Sequence, residues 1–103
     1  PYSLAAMDNP AALPTDDDLH ALALRVGEAL QARHLMLATA ESCTGGWIAK
    51  MVTDIPGCSA WFDCGMAAYS YEAKQALLGV RPETLVGHGA VSRETVTEMV
   101  SGA

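Results

Sequence analysis

A short apolar run, Leu35 to Ala40, gives way within a few residues to Gly45-Gly46, and the residues beyond the glycines change to helical spacing. That switch from a strand-like to a helix-like period across a small-residue turn constrains the fold more than any other feature of the chain. It places Ser42, Cys43 and Thr44 in the turn between a strand and a helix. A helix N-terminus carries unpaired N–H groups and a partial positive charge. Paired glycines let a ligand or a reacting oxygen approach such a backbone closely. A nucleophile at this point can attack a carbonyl while neighbouring N–H groups hold the developing anion.

The flanking segments extend the alternation. Residues 1–14 read as an N-terminal arm broken by Asn9-Pro10 and Pro14, with Met7 a candidate start. Thr15 reads as a helix cap followed by Asp16, Asp17 and Asp18, and Leu19, Leu22, Ala23, Val26 and Leu30 form one apolar stripe ending near Arg33. The helix after Gly46 carries Trp47, Ile48, Met51, Val52 and Ile55 and stops at Pro56-Gly57. Trp61 to Ser70 reads as a second strand, and Tyr71 to Leu78 as a helix closed by Gly79. Pro82 starts a short helix that stops at Gly87 or Gly89, and Ser92 caps a last one through Val96, Met99 and Val100. The order helix, strand, helix, strand, helices predicts an α/β layered domain over residues 15–103. Two strands are few for a sheet, so a shortened chain is expected.

The chain of 103 residues is half hydrophobic and 17% charged, the profile of a folded domain rather than a disordered one. A net charge of −6 argues against duplex nucleic acid or an anionic membrane as partner. No apolar run approaches the roughly 20 residues that span a bilayer. Cys43, Cys58 and Cys64 are odd in number and follow no C-x-x-C spacing, which favours reduced cysteines in a cytoplasmic protein over a disulfide framework or a zinc site.

Ser42 leads the candidates for nucleophile. The competing reading is that Ser42 or Thr44 simply caps the helix. Cys43 is the rival, since a thiolate is favoured at a helix N-terminus, but no histidine pairs with it in the sequence and a small buried cysteine is the expectation. His20, His34 and His88 read as surface residues. Tyr69-Ser70-Tyr71-Glu72-Ala73-Lys74 supplies the candidate base: Tyr69 ends the second strand, and Lys74 lies one turn into the next helix. A lysine acts as a base only when its environment favours the neutral amine. The alternative is a solvated Lys74 beside Glu72 on a polar face. There is no Walker loop and no G-x-G-x-x-G fingerprint.

Three blocks carry a resemblance: Ala40-Glu41-Ser42-Cys43-Thr44-Gly45-Gly46, then Gly65 to Lys74 followed by Leu78-Gly79-Val80, then His88-Gly89-Ala90-Val91-Ser92. In order and spacing they resemble the CinA C-terminal domain family, from about Leu19 onward. The resemblance implies a layered α/β/α domain, present here as its first half, and an amidohydrolase of the PncC type. Such an enzyme converts nicotinamide mononucleotide to nicotinic acid mononucleotide and ammonia in pyridine-nucleotide salvage, with no metal and no organic cofactor. It implies catalytic roles for Ser42, Tyr69 and Lys74, with Ser42 losing its proton to a Lys74–Tyr69 pair. The N–H groups of Thr44, Gly45 and Gly46 would then hold either the oxyanion or the substrate phosphate. Tyr71 and Ala67-Ala68 depart from the family pattern, and family members continue beyond this length through a Gly-rich loop and further strands. The alternative is a non-catalytic fragment or an interaction module linked to competence or the response to DNA damage. Unpaired strand edges make a homo-oligomer the expected form.

Overall fold

In the computed structural model, residues 13–103 are described; the expected arm at 1–14, including Met7, falls almost wholly outside them. Helix α1 spans Asp16–Ala32 and β1 spans Leu37–Glu41. Helix α2 covers Trp47–Thr53, a single 3-10 turn covers Cys58–Ala60, and β2 covers Phe62–Ala67. Three helices follow: α3 (Tyr71–Leu78), α4 (Pro82–His88) and α5 (Arg93–Gly102). The strands pair with each other in one two-stranded sheet. Leu37 N–H donates to the Trp61 carbonyl at one end, and Ala68 N–H donates to the Glu41 carbonyl at the other, so the strands run parallel. The chain is therefore α/β, with the expected order of elements.

The described chain divides into two compact units. The first comprises the residues up to Leu37 together with Lys50–Asp63. Thr15 opens α1 with a capping box: its hydroxyl accepts from Asp18 N–H while the Asp18 carboxylate accepts from Thr15 N–H. The helix ends where His34 turns into the left-handed region at φ 55°. The core of this unit is Ala23, Val52, Ile55 and Trp61, with Leu30, Leu37, Cys58 and Phe62 packed against it. Gly27 belongs to the same surface, and a Cβ there would lie 2.6 Å from the Trp61 indole. The helix accepts a poor helix former at this position because the ring needs the space.

The second unit comprises Ala38–Ala49 and Cys64–Ala103. Its core is Ala68, Leu78, Val80, Leu85 and Met99, with Ala40, Met66, Ala73 and Ala90 at the margin. Helix α3 is capped at its start by Ser70, whose hydroxyl accepts from Ala73 N–H. It is closed by Gly79 at φ 67°, after which Val80 N–H reaches back to the Lys74 carbonyl. Glu98 of α5 accepts from both Arg81 N–H and the Thr84 hydroxyl, which satisfies the first turn of α4 from a neighbouring helix. Hydrogen bonding from both donors holds the Glu98 carboxyl below its ordinary range.

Not every apolar residue of these segments is buried. Leu35 and Met36 precede the strand and are about half exposed, because the pairing starts only at Leu37. Trp47 and Ile48 on α2 and Val96 and Val100 on α5 are exposed as well. The buried side chains of β1 are Thr39 and Glu41, two polar residues on one face. Among the described residues, no helix is long and apolar enough to cross a membrane.

Candidate active site

All of the candidate residues lie in the second unit. Ser42 follows the last residue of β1 and is half-buried. Lys74 sits on the first turns of α3, where a side chain leans toward the N-terminus of its helix. That lean carries the amine back over the residues preceding the helix. The result is a completely buried lysine, not the solvated one that its polar neighbours allow. Nζ lies 2.8 Å from the Ala68 carbonyl, 2.8 Å from the Tyr69 carbonyl and 2.9 Å from Ser42 Oγ. Among the described residues, no carboxylate lies within ion-pair distance of it.

This arrangement has a specific chemical consequence. A carbonyl oxygen can only accept, so two Nζ hydrogens are assigned whatever the charge of the amine. The third direction faces Ser42. An ammonium donates to Oγ there, whereas a neutral amine presents its lone pair to the Oγ–H. The contact between residues 42 and 74 is thus the one at which Nζ can exchange a proton.

Tyr69 meets the amine through its backbone. Its ring centroid is 6.0 Å from Nζ, and the residue is 75% exposed. The phenol has no hydrogen-bond partner among the described residues. The expected Lys74–Tyr69 pair is therefore a contact between amine and carbonyl, with the phenol turned to solvent beside it.

Glu41 is the residue that sequence reasoning passed over. It is 3% exposed and accepts the Thr44 hydroxyl at 2.6 Å, Ile48 N–H at 2.9 Å and Ala49 N–H at 3.0 Å. Burial pushes its carboxyl up. The Thr44 hydroxyl and the N–H groups of Ala49, Ile48 and Gly46 outweigh that and hold it below the ordinary value. The signal was a single acidic residue ending an apolar strand just before a helix start, where a buried carboxylate finds N–H donors.

The turn itself narrows the expected ligand contacts. Gly45 and Gly46 adopt φ of 64° and 97°, which favours glycine, and the space above both is open. Gly45 N–H donates to the Ser42 carbonyl, Gly46 N–H faces Glu41, and the Thr44 hydroxyl is held by Glu41. Of the expected trio, only Thr44 keeps its N–H without a partner among the described residues, and Cys43 N–H is in the same state. Ser42 and Thr44 do not cap α2 with their hydroxyls, since Glu41 takes that place.

Cys43 is exposed rather than buried, and Cys43, Cys58 and Cys64 are all free thiols. His20 and His34 are exposed, and His88 lies 3.6 Å from Glu94. No group of three or more His, Cys, Asp or Glu residues that could hold a metal ion occurs among the described residues. A cavity of about 440 Å³ lined by Leu78, Gly79, Arg81, Glu98, Ser101 and Gly102 contains none of the candidate residues.

Comparison with known proteins gives a consistent result. The family model described as the CinA C-terminal domain matches residues 19–103. The chain is 57% identical over 89 residues to an Escherichia coli protein named nicotinamide-nucleotide amidohydrolase PncC, covering 86% of this chain and 54% of that protein. It is 60% identical over 77 residues to a CinA-like protein of Chloroherpeton thalassium, covering 75% of this chain and 18% of that one. Among solved structures, it is similar to the competence/damage inducible protein CihA of Agrobacterium tumefaciens. There the TM-score is 0.81 and the identity 47%, over 87% of this chain and 53% of that one. The chain thus spans about half the length of the PncC relatives it matches. With its α/β order, its serine–lysine contact and a family match that begins inside α1 and runs through α5, the chain belongs to the CinA C-terminal domain family.

Proposed function

We propose that this site hydrolyses the carboxamide of nicotinamide mononucleotide, with Ser42 as nucleophile and Lys74 as general base. The observation that carries the reading is the 2.9 Å contact between Nζ and Oγ, made by an amine whose other donors are committed to two carbonyls. The name of the 57% identical Escherichia coli relative supports the choice of substrate.

In this reading the Oγ proton passes to the Nζ lone pair as Oγ bonds to the amide carbon. The carbonyl oxygen takes the charge, and the N–H groups of Cys43 and Thr44 are the free donors nearest in sequence to receive it. The Nζ proton then passes to the departing nitrogen, and ammonia leaves. Water, deprotonated by the same amine, releases the carboxylate and restores Oγ–H. The Tyr69 carbonyl fixes Nζ, and its ring and phenol flank the side from which substrate arrives. The space over Gly45 and Gly46 is open to the rest of the nucleotide.

We place this activity in a cytoplasmic homo-oligomer, a form supported by the exposed apolar side chains Leu77 on α3, Val86 on α4, Val91 just before α5 and Val100 on α5. Ammonia release from nicotinamide mononucleotide tests the reading. Turnover that disappears in Ser42→Ala is expected. Unchanged turnover in that variant would overturn it.

A further inference from the structure

The Ser42–Lys74 contact does not account for Glu41. Its carboxylate is buried, and among the described residues no cation lies within ion-pair distance of it. Oε1 accepts from the Thr44 hydroxyl and Ile48 N–H, and Oε2 accepts from Ala49 N–H. The donors lie three, seven and eight residues downstream. One side chain therefore closes the segment from the end of β1 to the start of α2 into a loop, with Ser42 next to the anchor.

We propose that Glu41 is a positioning residue, whose ionised carboxylate holds this loop in the conformation that sets Ser42 Oγ against Lys74 Nζ. The proposal rests on the reading of Ser42 and Lys74 as the reacting pair. An ordinary N-cap hydroxyl would satisfy one N–H of α2 and leave Thr44 and the glycine turn unheld. A glutamine offers a single oxygen, and its NH₂ group would meet the N–H of either Ala49 or Ile48, donor against donor. The charge and both oxygens are used. The loop also contains two residues at positive φ, Gly45 and Gly46, which give it alternatives to this one conformation once the anchor is gone.

The test uses the full chain and a fluorophosphonate, a serine-directed electrophile. Oγ displaces fluoride from phosphorus and its proton passes to Nζ, so the rate of adduct formation at Ser42, read by mass spectrometry, reports the pair without requiring turnover of nucleotide. Amide hydrogen exchange and thermal unfolding are followed on the same samples. Glu41→Gln is expected to slow labelling at least about tenfold at a temperature where it remains folded. Exchange should quicken at Ile48 and Ala49 and stay unchanged along α3. Thr44→Val, which removes the hydroxyl donor alone, should slow labelling less, and Thr44→Ser should recover most of that loss. If Glu41→Gln does not fold, the Thr44 pair decides. Labelling of Glu41→Gln at the wild-type rate, or of Thr44→Val and Thr44→Ser at equal rates, overturns the proposal while leaving the Ser42–Lys74 reading intact. Failure of the unmodified chain to label at Ser42 removes that reading, and the proposal with it.

Discussion

Lys74 has two hydrogens tied to carbonyls, so its chemistry is confined to one neighbour, Ser42. Replacement by arginine puts a permanent cation where the proposed mechanism needs a base, because a guanidinium stays protonated. Lys74→Arg should therefore lose turnover by at least about 10²-fold, measured as ammonia release, whereas a purely electrostatic role would leave most of it. Lys74→Met leaves the Ala68 and Tyr69 carbonyls without their donor, and a denaturant titration should show a loss of about 1–3 kcal/mol. Tyr69→Phe keeps the carbonyl and removes only the exposed phenol, so KM should rise more than kcat falls. Ser42, Tyr69 and Lys74 could be nominated from the sequence as candidates, but their arrangement could not, because nothing in the spacing says that Tyr69 meets the amine by its carbonyl. Cys43 was misread as buried since small thiols usually are, yet it stands exposed on a turn whose inward position belongs to Glu41.

The elements were legible wherever a cap or breaker marks their ends. Thr15, Pro82, Ser92 and Gly79 all act where the sequence placed them, whereas Ser70, read as the end of the second strand, caps α3 because β2 stops at Ala67. The start of β1 was less legible: Leu35 and Met36 are as apolar as the strand, but the pairing that defines it lies at Leu37 and beyond. The purpose of Gly27 is visible only with Trp61 in contact. Gly27→Ala should lower stability by about 1–3 kcal/mol, despite the better helix propensity of alanine, because the indole must move. The loop from β1 to α2 has its own pH dependence. Glu41 binds a proton less readily in the folded chain than in the unfolded one. Its contribution to stability is thus complete above the ordinary glutamate range, near pH 4.3, and is lost as pH falls through the lower folded value. Urea midpoints measured from neutral pH downward should fall more steeply for the unmodified chain than for Glu41→Gln. Parallel curves would remove Glu41 from the acid response.

At the scale of the molecule, the chain spans about half of its PncC relatives and shows exposed valines at positions 86 and 91, each 87% exposed. Sedimentation is expected to give a dimer or larger species, and a stable monomer at micromolar concentration would contradict the homo-oligomer. The α/β order was legible from the alternation of periods, whereas the division into two cores was not. Ala23, Ile55 and Trp61 meet in one cluster and Leu78, Leu85 and Met99 in another, and no local pattern separates them. The account depends on Ser42 and Lys74 acting as one unit. The most direct measurement is kcat/KM for ammonia release in Ser42→Ala, Lys74→Ala and the double variant. Residues that act together lose activity once, so the double variant should be no slower than either single one, each at least about 10²-fold below the unmodified chain. Losses that multiply in the double variant, or wild-type turnover in either single one, would contradict the account.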